Sequence, residues 1–373
     1  MSALRVAVLT NMPTYYQVDL FNAIAANCPQ LALRVYYLRK LTPGRQWTVQ
    51  PNFAHDHVFV RERALSRHFY LSPGLTRELR AFRPDLTVVG QYAGVGMQWT
   101  MYRSRLAGAA WVYWSERPGM EWAELPVIRW ERMRRLLRWF ALLPVRRWPR
   151  EIWGIGPFAC EFYSKISRRP VRNLSYFCDL GRYLSIPRTA PPERPRVLYL
   201  GKFVERKGID QLCQALDALY AKGARFPMDF AGDGPLRPLV TDLAAKYPDL
   251  VTYHGFKEIA ELPALLGSAD ALVCPSRYDG WGMTVPEGMA SGLAVVASNR
   301  TASAVELIRD GENGYTIEPT AEALERRLGA LAGDPATCAR IGARARESVL
   351  PYDARAGAAR FAEYALECAK PRS

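Results

Sequence analysis

Acidic residues are scarce in the first half of this chain. Residues 1–186 hold 12 Asp+Glu against 27 Lys+Arg, and residues 187–373 hold 24 against 23. The net charge of +14 is therefore +15 in the first half and −1 in the second, with nearly all of the excess as arginine. Such asymmetry implies a polyanionic partner for the first half: an anionic membrane surface, a phosphorylated acceptor or nucleic acid. Paired cysteines are missing as well. The seven, at 28, 160, 178, 213, 274, 338 and 368, are scattered, odd in number and contain no Cys-x-x-Cys. That excludes a disulfide framework and a zinc site, and leads us to expect a reduced, cytoplasmic protein. No run approaches the roughly 18 consecutive apolar residues of a membrane-spanning helix. Arg5 interrupts Leu4–Leu9, which reads as a first strand and not as a secretory signal. Without Gly-x-x-x-x-Gly-Lys-Ser/Thr, P-loop NTPase chemistry is disfavoured.

What is present is globular. Of 373 residues, 49% are hydrophobic and 12% aromatic, enough for two domains of about 150–200 residues. Val6–Leu9, Leu33–Leu38, Leu86–Val89 and Ala110–Tyr113 read as strands in the first half. Val197–Leu200, Met228–Ala231, Ala271–Cys274 and Ala294–Ala297 read as strands in the second. Between them lie helix-period stretches such as Ile209–Tyr220, apolar at 209, 212, 216 and 219. Runs apolar on both faces suit parallel strands under helices, and their alternation predicts an α/β chain of two doubly wound, Rossmann-like sheets. We expect domains at 1–186 and 197–351, a proline-rich linker at 187–196, and a C-terminal helix within 352–373 that packs back on the first domain.

The densest chemistry lies in Ser276–Ser298. A strand ending at Cys274 feeds a loop with Gly280, Trp281 and Gly282, then a helix starting near Met283 and Thr284. Free amides at a helix start, with the dipole behind them, suit a diphosphate. Asp279 and Glu287, seven residues apart, are carboxylates placed to accept from sugar or ribose hydroxyls. The bland alternative is a solvated loop acid and a helix-start acid. A second loop, Gly201-Lys-Phe-Val-Glu-Arg-Lys-Gly208, offers Lys202 and Lys207 to the same diphosphate. A third, Gly232-Asp-Gly-Pro235, closes the next strand. Three glycine loops after consecutive strands point to the crevice where open α/β sheets bind ligands.

These residues carry a resemblance. Ser276–Ser298, with Gly201–Gly208, Ala231–Leu236, His254–Phe256, Ala269–Asp270 and Glu306–Gly314, resembles the retaining family-four glycosyltransferases and their Glu-x7-Glu motif. The resemblance covers the second half and weakens in the first. It implies the GT-B fold, two Rossmann-like domains facing each other across a cleft, and transfer of sugar from a nucleotide-diphosphate sugar to a glycan or lipid-linked glycan. It implies that Glu287 binds the ribose hydroxyls, that Asp279, one methylene shorter than the family glutamate, contacts the donor sugar, and that Lys207 meets phosphate. Lys202 stands where the family usually has arginine, a point charge in place of a fork. The backbone of Gly280–Met283 approaches sugar and phosphate, with Gly232 and Thr284 alongside. No metal and no cofactor are implied, and the chain has no Asp-x-Asp. Retaining enzymes of this fold lack an agreed nucleophile, so none is assigned.

On the acceptor side, Trp114–Pro118 follows a strand where relatives often carry histidine. Glu116 is the candidate for positioning or deprotonating the acceptor, against the alternative of an ion pair with Arg117. His55-Asp-His57 reads as a solvated strand and not as a metal pair. Arg129–Arg150 holds eight arginines and one acid, with Trp130, Met133, Leu137 and Phe140 on one helical face. It reads as a helix on an anionic membrane, peripheral at its inner face, or as a core-packed helix with a solvated basic face. Nucleic acid is disfavoured, because it would explain the arginines and not the three loops. The rival readings are a catalytically silent nucleotide-sugar or glycan binder, and an epimerase or phosphorylase of the same fold.

Overall fold

The computed structural model describes residues 2–40, 52–61, 63–64, 70–72, 74–92, 94–118, 131–188 and 193–370. It forms two compact units, Met1–Asp179 with Ala354–Ser373, and Leu180–Asp353.

In the first unit the strands run β1 (Leu4–Thr10), β2 (Leu31–Tyr37), β3 (Asp56–Phe59), the short antiparallel pair β4 (Arg63–Ala64) and β5 (Tyr70–Leu71), β6 (Leu86–Val89), β7 (Trp111–Ser115), β8 (Ile152–Gly154) and β9 (Val171–Asn173). Seven of them make one parallel sheet in the order β3-β2-β1-β6-β7-β8-β9. Trp111, Trp114 and Trp153 are buried, and the Trp114 indole donates to Leu174 O at 2.8 Å, so its polar edge is satisfied. The C-terminal helix Ala354–Ala369 belongs to this unit. Its Phe361 lies 5.4 Å from the Trp153 ring and 6.3 Å from Trp114. A Cβ on Gly357 would meet Phe177 Cγ at 2.3 Å, so only glycine lets that helix come so close.

The second unit carries β10 (Val197–Leu200), β11 (Met228–Ala231), β12 (Val251–Tyr253), β13 (Ala271–Cys274), β14 (Ala294–Ser298) and β15 (Tyr315–Ile317). They form a parallel sheet in the order β12-β11-β10-β13-β14-β15. β10, β11 and β13 are buried along their length, which is why they read as unbroken apolar runs. The one acid among them, Asp229, is held by Arg196 Nη1 at 3.0 and 3.2 Å and lies 3.1 Å from His254 Nε2. The chain leaves β10 toward one edge and returns to build the other from β13 onward. The gap between β10 and β13 is thus the topological switch point, where doubly wound sheets take their ligands.

The units divide at 179/180, ahead of the proline-rich stretch. Helix Gly181–Leu184 and Arg188, which donates to the carbonyls of Leu266 at 3.4 Å and Ala269 at 2.7 Å, belong to the second unit. Residues 189–192 of the expected linker lie outside the described residues. Among the described residues no helix is long and apolar enough to cross a membrane.

Candidate functional site

The loops after β10 and β13 meet at the switch point, and backbone contacts fix how closely. Gly208 has φ +70, and a Cβ there would sit 2.1 Å from Pro275 O. Arg277 N donates to Arg206 O at 2.9 Å, and Arg206 Nη1 donates to Tyr278 O at 2.9 Å. The Arg277 guanidinium forks onto Asp210 at 2.7 and 2.6 Å and donates to Glu205 O at 2.6 Å. A third segment supports the second loop from behind. Asp279 N donates to Arg300 O at 2.9 Å, and Ser303 Oγ donates to Gly282 O at 2.8 Å. The third glycine loop joins on the other side: Phe203 N donates to Asp233 O at 3.0 Å, and a Cβ on Gly232, at φ +145, would fall 1.9 Å from Gly201 O.

The predicted residues of this half therefore come together. Lys202, Lys207, Gly232, Gly280, Trp281, Gly282, Met283, Thr284, Asp279 and Glu287 all lie on loops or helix starts that follow β10, β11 and β13. Lys202 is exposed, and Lys207 Nζ donates to Asp279 Oδ2, with Arg206 3.7 Å from Oδ1. Burial alone would raise the Asp279 carboxyl, but the charges of Lys207 and Arg206, with hydrogen bonds from Lys207 and the Trp281 backbone, hold it below the usual carboxylate range. Glu287 is 1% exposed and accepts from the Tyr183 phenol at 3.0 Å. A ligand reaches it only by displacing what covers it. Cys274, beside Thr284 at 3.4 Å, is pushed up to about 11 by burial, so it is a protonated thiol at neutral pH.

The helix start differs from expectation. Helix Thr284–Ala290 has seven residues, so its dipole is short. Val285 N donates to Gly282 O and Glu287 N to Met283 O, both at 3.2 Å, and Pro286 has no N–H. That leaves at most the amides of Met283 and Thr284 open at the helix start.

Asp279 and Lys207 give a testable linkage. A carboxyl depressed on folding contributes stability above its unfolded value, near 3.9, and loses it as pH falls through the folded value. Lys207→Met removes the largest favourable charge, so the Asp279 carboxyl rises and the stability it contributes above its unfolded value shrinks. The expected cost at pH 7 is about 1–3 kcal/mol. Melting curves from pH 3 to 8 check it: the variant's deficit is largest at neutral pH and shrinks toward pH 4.

Other candidates fall elsewhere. Glu116 follows β7 in the first unit, where the Tyr163 hydroxyl donates to its carbonyl at 2.9 Å, and the Arg117 guanidinium lies 5.9 Å from the Phe162 ring centre. The reading of His55-Asp-His57 as solvated is corrected. His55 is 3% exposed, its ring nitrogens lie 3.1 Å from Tyr37 Oη and 2.7 Å from Asn22 Oδ1, and burial lowers it to about 4. His57 stacks on Phe53 at 4.2 Å. The pair is an aromatic edge to the sheet, and no metal-holding cluster occurs among the described residues. Of the basic stretch, residues 129 and 130 and the side chain of Met133 lie outside the described residues. Helix Glu131–Ala141 exposes Leu137 by 38% and Phe140 by 51%, with Leu136 and Trp139 also exposed, so these four side chains are not core-packed. Sequence reasoning missed Tyr183, Arg206, Arg277 and Asp210. Arg277 lies inside Ser276–Ser298 and could have been found from it. Tyr183, 104 residues from Glu287, carried no signal.

Residues 185–348 match the family described as glycosyl transferases group 1. In sequence the chain is similar to the alpha-D-kanosaminyltransferase of Streptomyces kanamyceticus, 33% identical over 143 residues, 36% of this chain and 37% of that protein. It is also similar to the lipopolysaccharide core biosynthesis glycosyltransferase LpsE of Rhizobium meliloti, 29% identical over 194 residues, 49% of this chain and 54% of that protein. The chain spans about half or less of the length of these relatives. In structure it resembles a sucrose-phosphate synthase from Thermosynechococcus elongatus, with TM-score 0.74, 18% identity and 98% of each chain covered. It likewise resembles HepE of Anabaena in complex with UDP-glucose, with TM-score 0.71, 16% identity, and 98% of this chain and 100% of that one covered. These likenesses establish the fold as GT-B.

Proposed function

We infer, from the match of residues 185–348 to the group 1 glycosyl transferases, that the protein transfers sugar from a nucleotide-diphosphate sugar with retention of configuration and without a metal. The acceptor on this reading is a glycan or lipid-linked glycan. One observation carries it: Lys202, Lys207, the glycine loops and Glu287 converge at the β10/β13 switch point. Glu287 takes the ribose hydroxyls, and Lys202 and Lys207 neutralise the diphosphate as it departs. Asp279 holds Lys207 in place and faces the donor sugar. With no protein nucleophile assigned, the leaving phosphate oxygen accepts the acceptor proton on the face it vacates, and Glu116 positions the acceptor. That HepE has been solved with UDP-glucose supports the donor class.

The test is a panel of nucleotide-diphosphate sugars run with a chelator, following released nucleoside diphosphate and the anomeric signal of the product. Turnover with the donor's configuration kept is expected. Binding without turnover across acceptors would favour the silent binder, and chelator-sensitive turnover would remove the metal-free reading.

We further propose that the first unit rests on an anionic membrane face. Trp139, Phe140, Leu136 and Leu137 are exposed, as are Trp99, Tyr102 and Leu106 on helix Val95–Leu106, whose Gln98 Nε2 donates to Ala141 O at 2.9 Å. Arg146 lies 5.6 Å from the Trp139 ring centre, placing cations beside the apolar patch as an acidic lipid surface requires. Co-sedimentation with phosphatidylglycerol vesicles is expected at low salt. It should fall about tenfold in Trp139→Glu/Phe140→Glu, because both apolar anchors become charged. Equal sedimentation of variant and parent would remove the proposal.

A further inference from the structure

The glycine loops of the second unit all follow the C-terminal ends of its strands. At the other end of the sheet, ahead of β13 and β14, a cavity of about 270 Å³ opens between helix Pro335–Ser348 and the turn at Gly292. Arg188, Arg346, Asp270, Glu347, Gly292 and Ala343 line it. Glycine shapes its walls. A Cβ on Gly342 would fall 2.1 Å from Gly292 O, so only glycine lets the helix close on that turn. Gly292 has φ +74, and a Cβ there would lie 3.3 Å from Arg188 Cγ, so the arginine stem runs across bare backbone.

The two guanidiniums are held in place but not neutralised. Arg188 donates from Nη1 to Leu266 O at 3.4 Å and from Nη2 to Ala269 O at 2.7 Å. Arg346 donates from Nη2 alone, to the carbonyls of Tyr183, Leu184 and, at 2.6 Å, Ile186, which leaves Nε and Nη1 as further donors. Carbonyls fix direction and carry no charge. Among the described residues neither guanidinium forms an ion pair, and residues 189–192, Thr-Ala-Pro-Pro, hold no acid. Asp270 turns its Oδ2 to the Arg196 amide at 2.8 Å, and Glu347 is exposed. Burial lowers Arg188 from its ordinary value; Asp270 opposes this, and the like charge of Arg346 adds to it. Two like charges thus share one small cavity without a counter-charge in contact, an arrangement that a bound anion relieves.

We propose that this cavity binds a phosphate monoester, with its phosphate between Arg188 and Arg346 and its hydroxyls toward Asp270 and Glu347. Planar guanidinium matches phosphate oxygens and carboxylates accept from hydroxyls, so the mixed lining suits an anionic head on a polar body. The volume is just under the range of about 300–1,000 Å³ of drug-sized ligand sites, which suits a sugar phosphate better than a nucleotide. The site lies at the opposite end of the sheet from the glycine loops, and does not rest on the donor-site reading.

Calorimetry with inorganic phosphate and with a hexose 6-phosphate, on the full chain at low salt, tests it. The parent should bind the ester. Ala343→Glu brings a carboxylate to the arginines from an exposed helix position, and should weaken binding about tenfold or more with the melting temperature unchanged. Arg188→Met keeps the stem across Gly292 and removes the charge, with a loss of the same size. Phosphate held elsewhere, at Lys202 and Lys207 for instance, survives both changes, so only the lost part reports the cavity. A loss for both probes assigns the site to the phosphate group alone. A loss for the ester only assigns it to phosphate and hydroxyls together, and either result supports the site. A parent that binds neither probe, or folded variants that bind both as the parent does, overturns the proposal. Ala343→Glu removes none of the arginines' carbonyl bonds, so it decides the matter should Arg188→Met not fold.

Discussion

Glu287→Ala lowers kcat/KM for the nucleotide-sugar donor by about a hundredfold or more, since each hydrogen bond to a charged group contributes about 1.5–3 kcal/mol and a diol makes two. The loss is expected mainly in donor KM and in nucleoside diphosphate affinity, because the ribose is held alike in ground and transition states. Stability shifts the other way from intuition. Removing a carboxylate that is 1% exposed also removes its desolvation cost, while losing the hydrogen bond that the Tyr183 hydroxyl donated to it. The two partly cancel, so the variant should fold and bind poorly. Steady-state kinetics beside a thermal melt separate the outcomes. Unchanged donor affinity in a folded variant would take Glu287 out of the donor site.

Gly208→Ala is the largest expected change in stability. The position has φ +70, and its new Cβ would lie 2.1 Å from Pro275 O, a backbone atom that cannot swing aside. The left-handed backbone and the clash together cost about 2–4 kcal/mol, which lowers the melting temperature by about 5–15 °C. Gly223 is the control. It has φ +94, and nothing lies within 4 Å of where a methyl group would sit, so Gly223→Ala costs only the backbone conformation. Equal losses at the two sites would mean that the close approach of the two donor loops contributes nothing. Because Gly208 follows Lys207, the folded fraction of Gly208→Ala should also bind nucleotide more weakly.

The two sheets were legible because their central strands are buried on both faces, which writes them as short apolar runs: Val197–Leu200, Met228–Ala231 and Ala271–Cys274 appear in the structure with the same ends. Edge strands were less visible. β9 and β12 have three residues each, and Val171–Asn173 is only half buried, so no period could mark it. The close meeting of the loops after β10, β11 and β13 was readable from glycine, since a missing side chain at Gly208 or Gly232 reports a close backbone approach wherever the partner comes from. What those glycines approach was not readable. The fork of Arg277 on Asp210 and the phenol of Tyr183 on Glu287 join segments far apart in the chain, and neither residue type is unusual where it stands. The open helix start was over-read for a related reason: composition shows that Thr284–Ala290 begins a helix, but only the folded turn shows Val285 and Glu287 donating their amides to Gly282 and Met283. His55 was misread because its burial comes from Phe21, Asn22 and Tyr37, which no local pattern brings to it.

The central claim is that the second unit holds a nucleotide diphosphate at the β10/β13 switch point. A crystal structure of the protein with the nucleoside diphosphate it binds tightest tests it most directly. The account predicts the diphosphate within hydrogen-bonding reach of Lys202 and Lys207, and the ribose hydroxyls on Glu287 with Tyr183 still donating to the same carboxylate. A nucleotide seated away from these loops, or one whose ribose leaves Glu287 untouched, would contradict it.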